Sequence, residues 1–311
     1  MKVRLLIVVA LLFLILCEVI LREGWGFCDT VLMQESERYE YIAQPNQDRM
    51  RFRHHVIYNS LSMRSSEPQK GSVRILGLGD SVINGGVLTD QDSLATTLLS
   101  SALSDTLHQE VQILNISAGS WGPDNCNAYL EEKGYFDAKV MLLVVSSHDA
   151  YDNMDFKPTV GVHVSFPSKQ YISAIVELFD RYLIPKVKDW FHEKTLNQQL
   201  ADFEEEHGIK KDGKCFNPGF AALKQKADSL QIPMIIYLHA ERSEWKDKKY
   251  NLQGQKIIEF AQQENILIIK DLDADINENW YRENDNIHLS QYGQHQMAEL
   301  IYPYLLCALK N

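Results

Sequence analysis

Five short apolar runs constrain the fold more than any other feature of the chain: "SVRILGL" (72–78), "VQILNIS" (111–117), "VMLLVVSS" (140–147), "MIIYLHA" (234–240) and "ILIIKDL" (266–272). Each is rich in Val, Ile or Leu and lacks the apolar–polar alternation of a strand with one wet face. Such runs are the pattern of strands buried on both faces. Between them lie stretches with apolar residues at helical spacing, over 92–107, 123–134, 220–230, 251–264 and 289–309. Strand and helix in alternation imply right-handed crossovers and a mostly parallel five-stranded sheet with helices on both sides, a three-layer α/β/α sandwich. Functional groups in such sheets gather at the carboxyl ends of the strands.

The ends and the middle of the chain depart from this rhythm. Lys2 and Arg4 precede an apolar run over 5–17 that continues through Glu18 to Leu21, at the short end of what a membrane-spanning helix needs. No small-x-small cleavage site follows, so 1–24 is expected to be an uncleaved membrane anchor. A cleaved signal leaving a secreted or periplasmic domain is the competing expectation. The positive charges before the run place the rest of the chain outside the cytoplasm, as a single-pass protein. Residues 25–70 are polar and mixed and read as an extended lead-in, and 71–311 as the folded domain. Within it, 153–217 interrupts the alternation. Its "SKQYISAIVELFDRYLIPKVKDWF" has helical spacing, and Pro185 is expected to kink or interrupt the helix. This insertion reads as a helical cap near the active-site face, and its Glu177 and Asp180 favour packing on the domain over a membrane-facing role.

Charge and cysteine usage narrow the function classes. The net charge of −11, with no face of clustered Lys and Arg, excludes nucleic acid as a partner and suits small-molecule or glycan substrates. The five cysteines show no CxxC pair, which excludes a disulfide framework. One bridge between Cys126 and Cys215 is conceivable, with free thiols the favoured reading.

The chemistry is concentrated in "GLGDSVINGG" (77–86), the turn after the first run. A dinucleotide fingerprint starting at Gly77 and Gly79 fails at Val82, a P-loop lacks its Gly-Lys-Ser/Thr, and a G-x-S-x-G elbow fails at Ile83. What remains is Ser81 at the end of a strand. A serine hydroxyl needs a general base held by a third group. "ENDNIHLSQYG" supplies Asp285 three residues before His288, ahead of the last helix, where a carboxylate can fix the imidazole tautomer of its own turn.

These two blocks, "GDS" at 79–81 and "DNIH" at 285–288, resemble those of the SGNH, or GDSL-type, hydrolases, a family of esterases and lipases with a flavodoxin-like sheet. The resemblance extends over 71–311 apart from the insertion, and "YNSLSMR" is similar to the lead-in of membrane-anchored members. It implies a serine esterase with Ser81 as nucleophile, His288 as general base and then acid, and Asp285 as the orienting carboxylate. An acyl-serine intermediate, plausibly acetyl from an envelope or dietary glycan, would be released to water without any cofactor or metal. The family's oxyanion hole implies the backbone N–H of Ser81, a glycine N–H in "NISAGSWGPDN", and an asparagine amide in a third block. Here Ser120 stands where that glycine is usual, one residue after Gly119, and "SSHD" puts His148 in place of the asparagine. An O-acyltransferase of the same architecture, or a catalytically silent envelope-binding protein, are the alternatives.

Other motifs read as structural. His54 and His55 point to opposite faces of a strand and are expected at the surface. "DLDADINENWYR" opens at Asp271 like a calcium loop but has Ile276 for the required glycine and Arg282 for the required glutamate. Of Trp121, Trp190 and Trp280, Trp121 is the best candidate for stacking on a sugar, with core packing the default.

Overall fold

The computed structural model describes residues 2–191, 211 and 213–310, with the side chains of 188–191 left aside. Part of the insertion, and the Trp190 side chain, therefore lie outside the described residues. The chain opens with helix α1 (Lys2–Val19), followed by a π-helical turn over Ile20–Gly24. Strands β1 (Met33–Ser36), β2 (Glu40–Ala43), β3 (Gln47–Arg51) and β4 (His54–Tyr58) come next. The doubly wound part follows as β5 (Val73–Gly79), α2 (Ser81–Asn84), α3 (Ala95–Leu107), β6 (Val111–Ser117), α4 (Pro123–Lys133) and β7 (Val140–Ser146). After α5 (Ala174–Leu178) and α6 (Ile184–Phe191) come α7 (Gly219–Leu230), β8 (Met234–His239), α8 (Arg242–Asp247), α9 (Leu252–Gln263), β9 (Leu267–Lys270) and α10 (Gln291–Lys310).

The five expected strands pair in parallel in the order β6-β5-β7-β8-β9, the flavodoxin-like arrangement. Every residue of β6, β7 and β8 is buried, which is why those runs carry no alternation. Helices α3 and α10 pack together on one face of the sheet, and α4 with α7 on the other, where Phe220 of α7 meets Phe260 of α9. The inward stripe of α3 is Ala95, Leu99 and Leu103, one helical turn apart. Each fully buried leucine there contributes roughly 1.5–3 kcal/mol.

Residues 29–70 are not extended. They form two antiparallel hairpins, β1–β2 and β3–β4, whose Tyr41, Ile42 and Val56 belong to the core of the domain. The turn between β3 and β4 is Phe52 and Arg53, both at positive φ (51° and 67°), the geometry a two-residue hairpin requires and usually fills with Asn-Gly. Phe52 compensates by lying under the Arg51 guanidinium, 4.5 Å from its ring centroid.

The five cysteines are free, with Cys126 buried and Cys215 exposed, so the conceivable bridge is absent. Trp121 is 1 % exposed, packed between Tyr39 and Tyr129 with its indole N–H donating to the Tyr41 carbonyl at 2.9 Å. The expectation of a sugar platform there is corrected: its face is used by the core. Trp280 is equally buried, while His54 and His55 lie at the surface beside Gln291 and Asp48.

Candidate active site

Ser81 follows directly on β5, at the carboxyl edge of the sheet. Gly79 makes the turn possible: its φ is +154°, and a Cβ there would sit 2.3 Å from the Val144 carbonyl oxygen of the neighbouring strand. Asp80 then caps α2 by accepting from the Val82 N–H at 2.8 Å. That puts Ser81 at the first helical position, where backbone N–H groups have no intrahelical acceptor and remain available to an oxyanion.

His288 and Asp285 come from the loop before α10. The Ser81 hydroxyl donates to His288 Nε2 at 2.9 Å, and His288 Nδ1 donates to Asp285 Oδ2 at 2.8 Å. The other Asp285 oxygen accepts the backbone N–H groups of Ile287 and His288. Burial works against charge on Asp285, but the imidazole and these N–H donors outweigh it and hold the carboxyl well below its usual range. Residues separated by 207 positions thus form one relay.

A second His–Asp pair, unnoticed in the sequence, braces this loop. His239, at the end of β8 and fully buried, donates from Nδ1 to Asp271 Oδ2 at 2.6 Å and from Nε2 to the Ile287 carbonyl at 2.7 Å. Both ring nitrogens face acceptors, so the ring carries two protons. Burial opposes that charge, yet the Asp271 carboxylate raises the pKa above its ordinary value. Asp271, the first residue of the rejected calcium-loop pattern, is used here instead. Replacing His239→Gln removes one of the two donors, and we expect it to lower kcat about tenfold with little change in KM, because the tether holds the loop of His288 and not substrate. Steady-state kinetics check this.

His148 lies on the short 3-10 turn after β7, among acidic side chains from distant segments. Its Nδ1 is 3.3 Å from Glu241 Oε1, and its Nε2 is 3.7 Å from Asp80 and 3.8 Å from Asp152. The last two distances are charge contacts and not hydrogen bonds, so the Nε2–H is not committed to a protein acceptor. Asp149, next in sequence, is buried and bound to the Ser146 N–H at 2.7 Å. Burial disfavours the imidazolium, but Asp149, Glu241, Asp152 and Asp80 together raise His148 well above its ordinary value. Burial also pushes Asp152 up to about 6. Asp80, His148 and Asp149 bring potential ligand atoms within 4.8 Å of one another. A cation and a doubly protonated His148 would exclude one another there, since ligation needs the neutral ring.

The loop over 115–125 is held from the lead-in. Tyr41 donates to the Gly119 carbonyl at 2.9 Å, and Glu40 accepts from Asn125 at 2.7 Å and from Lys211 at 2.5 Å. Ser120 has φ +57°, the left-handed region that favours glycine, whereas Gly119 does not. Position 120 therefore has the backbone of the expected glycine without its residue. Ser120→Gly is expected to stabilise the fold by about 1 kcal/mol, measured by urea denaturation. On the other side of Ser81, Arg64 and Arg282 donate to carbonyls of 85–89, at 2.7 Å to Thr89 and 2.6 Å to Gly85. A cleft of about 840 Å³ opens elsewhere, lined by Val73, Tyr135, Lys139 and Pro233, and none of its lining residues is a histidine, cysteine or serine.

No protein-family model matches the sequence, and no curated protein does. Solved structures do resemble the fold. The lipase/acylhydrolase from Enterococcus faecalis is 12 % identical, with a TM-score of 0.44 over 75 % of this chain and 95 % of that one. A psychrotrophic esterase, EstA, from Pseudoalteromonas sp. is 14 % identical, with a TM-score of 0.42 over 76 % and 99 %. A two-domain esterase active on acetylated mannans is 10 % identical, with a TM-score of 0.45 over 77 % of this chain and 50 % of that one. The activities in those names belong to those proteins.

Proposed function

We propose that the chain is a serine esterase of the SGNH type, acting through an acyl-serine intermediate on a small or glycan ester, plausibly an acetyl ester. The observation that carries this reading is the relay of Ser81, His288 and Asp285, with hydrogen bonds of 2.9 and 2.8 Å. In it His288 Nε2 takes the Ser81 proton as Oγ attacks the ester carbonyl, and Asp285 holds the ring in the tautomer that makes this possible. His288 then returns the proton to the departing alcohol. Water, activated by the same nitrogen, releases the acid and restores the serine. The developing oxyanion meets the Ser81 N–H, an N–H from Gly119 or Ser120, and His148 Nε2–H. A charged donor in that third place, rather than a neutral amide, distinguishes this site, and the carboxylates around it keep the ring protonated.

The reading is tested by fluorophosphonate labelling of the full chain. One adduct on Ser81, lost in His288→Ala, is the expected result; no adduct on a folded protein would favour a silent binding protein. An acyltransferase has the same nucleophile, and product that forms only with a sugar acceptor present would identify it.

For location, the apolar helix over Lys2–Gly24 supports a single-pass anchor with the domain extracytoplasmic. Retention over cleavage is favoured because Glu18, inside that helix, accepts from the N–H groups of Ala174 and Ile175 at 2.8 and 3.0 Å. Removal of the segment would take away the acceptor of the first two N–H groups of α5.

A further inference from the structure

The insertion was expected to form a helical cap near the active-site face, packed on the domain. Among the described residues its helical part packs against the end of α1. Glu177, whose charge favoured packing on the domain over a membrane-facing role, is fully buried and paired with Arg51 of β3 at 2.5 Å. Ala174 is buried beside it, and the Tyr182 ring packs edge-on against Phe27 and Phe52, while Arg51 donates to its hydroxyl. These contacts fix which side of the helix faces the protein.

The opposite side is mostly apolar and exposed, with one carboxylate at its edge, the exposed Asp180, which accepts from the Tyr171 hydroxyl. Ile172 is 95 % exposed, and Val176, Phe179 and Val187 are each more than half exposed, with Leu183 and Ile184 close behind. Val176, Phe179, Leu183 and Val187 follow at intervals of three, four and four, a single stripe on the helix, and Ile172, just before the Ser173 N-cap, leads into it. The π-helical turn over Phe179–Leu183, just before Pro185, keeps the helix continuous where the proline ring would otherwise break it. A soluble domain gains nothing by holding such a stripe in water.

The position of the stripe says what covers it. Its helix starts at the residues that cap it from α1: besides the two N–H groups, Ser173 donates its hydroxyl to Glu18 at 2.9 Å, and Arg22 bonds both Glu18 and the Ile172 carbonyl. Glu18 stands sixteen residues after Lys2, about 24 Å along a helix, and so lies toward the far boundary of a hydrocarbon core about 30 Å thick. We infer that α5 and α6 lie in the surface of the membrane that α1 crosses, with the stripe from Ile172 to Val187 sunk into the boundary between headgroups and acyl chains. The exposed Lys186 is placed to reach anionic headgroups. The inner side, through Arg51 and Glu177, then holds the domain at a fixed tilt over the bilayer.

This inference rests on α1 being a retained span, and the test separates the two. The full chain is reconstituted into phosphatidylcholine–phosphatidylglycerol vesicles with photoreactive p-benzoylphenylalanine in place of Phe179, Val187, or, as a control on α9, the 84 % exposed Leu252. Lipid adducts at 179 and 187 about tenfold above those at 252 are expected. Equal yields at the three positions in protein that resists a carbonate wash overturn the docking and leave the span intact. Adducts at 179 to a second copy of the chain, in place of lipid, also overturn it. Protein that the wash removes from the vesicles overturns the span and the docking with it.

Discussion

Ser81→Ala is expected to lower ester hydrolysis by about 10⁴-fold or more in kcat/KM, about 5.5 kcal/mol of transition-state stabilisation. Removing the hydroxyl removes the attacking atom, and the Ser81 backbone N–H remains where it was. His288→Ala is expected to cost nearly as much, because the hydroxyl at 2.9 Å then has no base. The double variant should be no worse than either single one, since the groups act as a unit. Asp285→Asn should cost somewhat less but more than tenfold, by favouring the wrong tautomer of His288. Hydrolysis of p-nitrophenyl acetate and of longer-chain esters gives these ratios. Ser81→Ala at wild-type activity would overturn the proposed chemistry.

His148→Ala should reduce kcat about 10²- to 10³-fold, the loss seen when one oxyanion donor is removed. The pH profile carries the more specific expectation. His148 is held above its ordinary value by the surrounding carboxylates, so its charge persists to higher pH than a free imidazole's and is lost as pH rises through the shifted pKa. Activity should therefore fall on the alkaline side. In His148→Asn, whose amide donates at any pH, that fall should vanish while measurable activity remains. The same proton contributes to stability: a histidine whose pKa is raised on folding stabilises fully below its unfolded value, near 6.5, and progressively less above it. An alkaline limb unchanged in His148→Asn would remove this ring from the oxyanion hole.

The relay was legible because each part has a local signature: a serine after a strand, and an aspartate three residues before a histidine ahead of a helix. The left-handed backbone at Ser120 falls where the resemblance places a glycine. The acidic surroundings of His148 were not legible. Asp80, Asp149, Asp152 and Glu241 come from three separate stretches, and each taken alone is an ordinary polar residue at a loop or a helix end. His239 read as the end of an apolar strand, and Asp271 as part of a failed calcium loop. The hairpin through Phe52 and Arg53 lacks the Asn-Gly signal, so its register had no local mark.

What the sequence determined by itself was the order of strands and helices and the ends at which chemistry could sit, since full burial on both faces of a sheet and one-sided burial of helices each impose their own period. Only the tertiary structure decided which charges lie together, which ring meets acceptors at both nitrogens, and which side of the helix over 174–187 is exposed. Those depend on distances between segments far apart in the chain, and a Coulomb contact or a buried hydrogen bond leaves no period in the sequence that makes it.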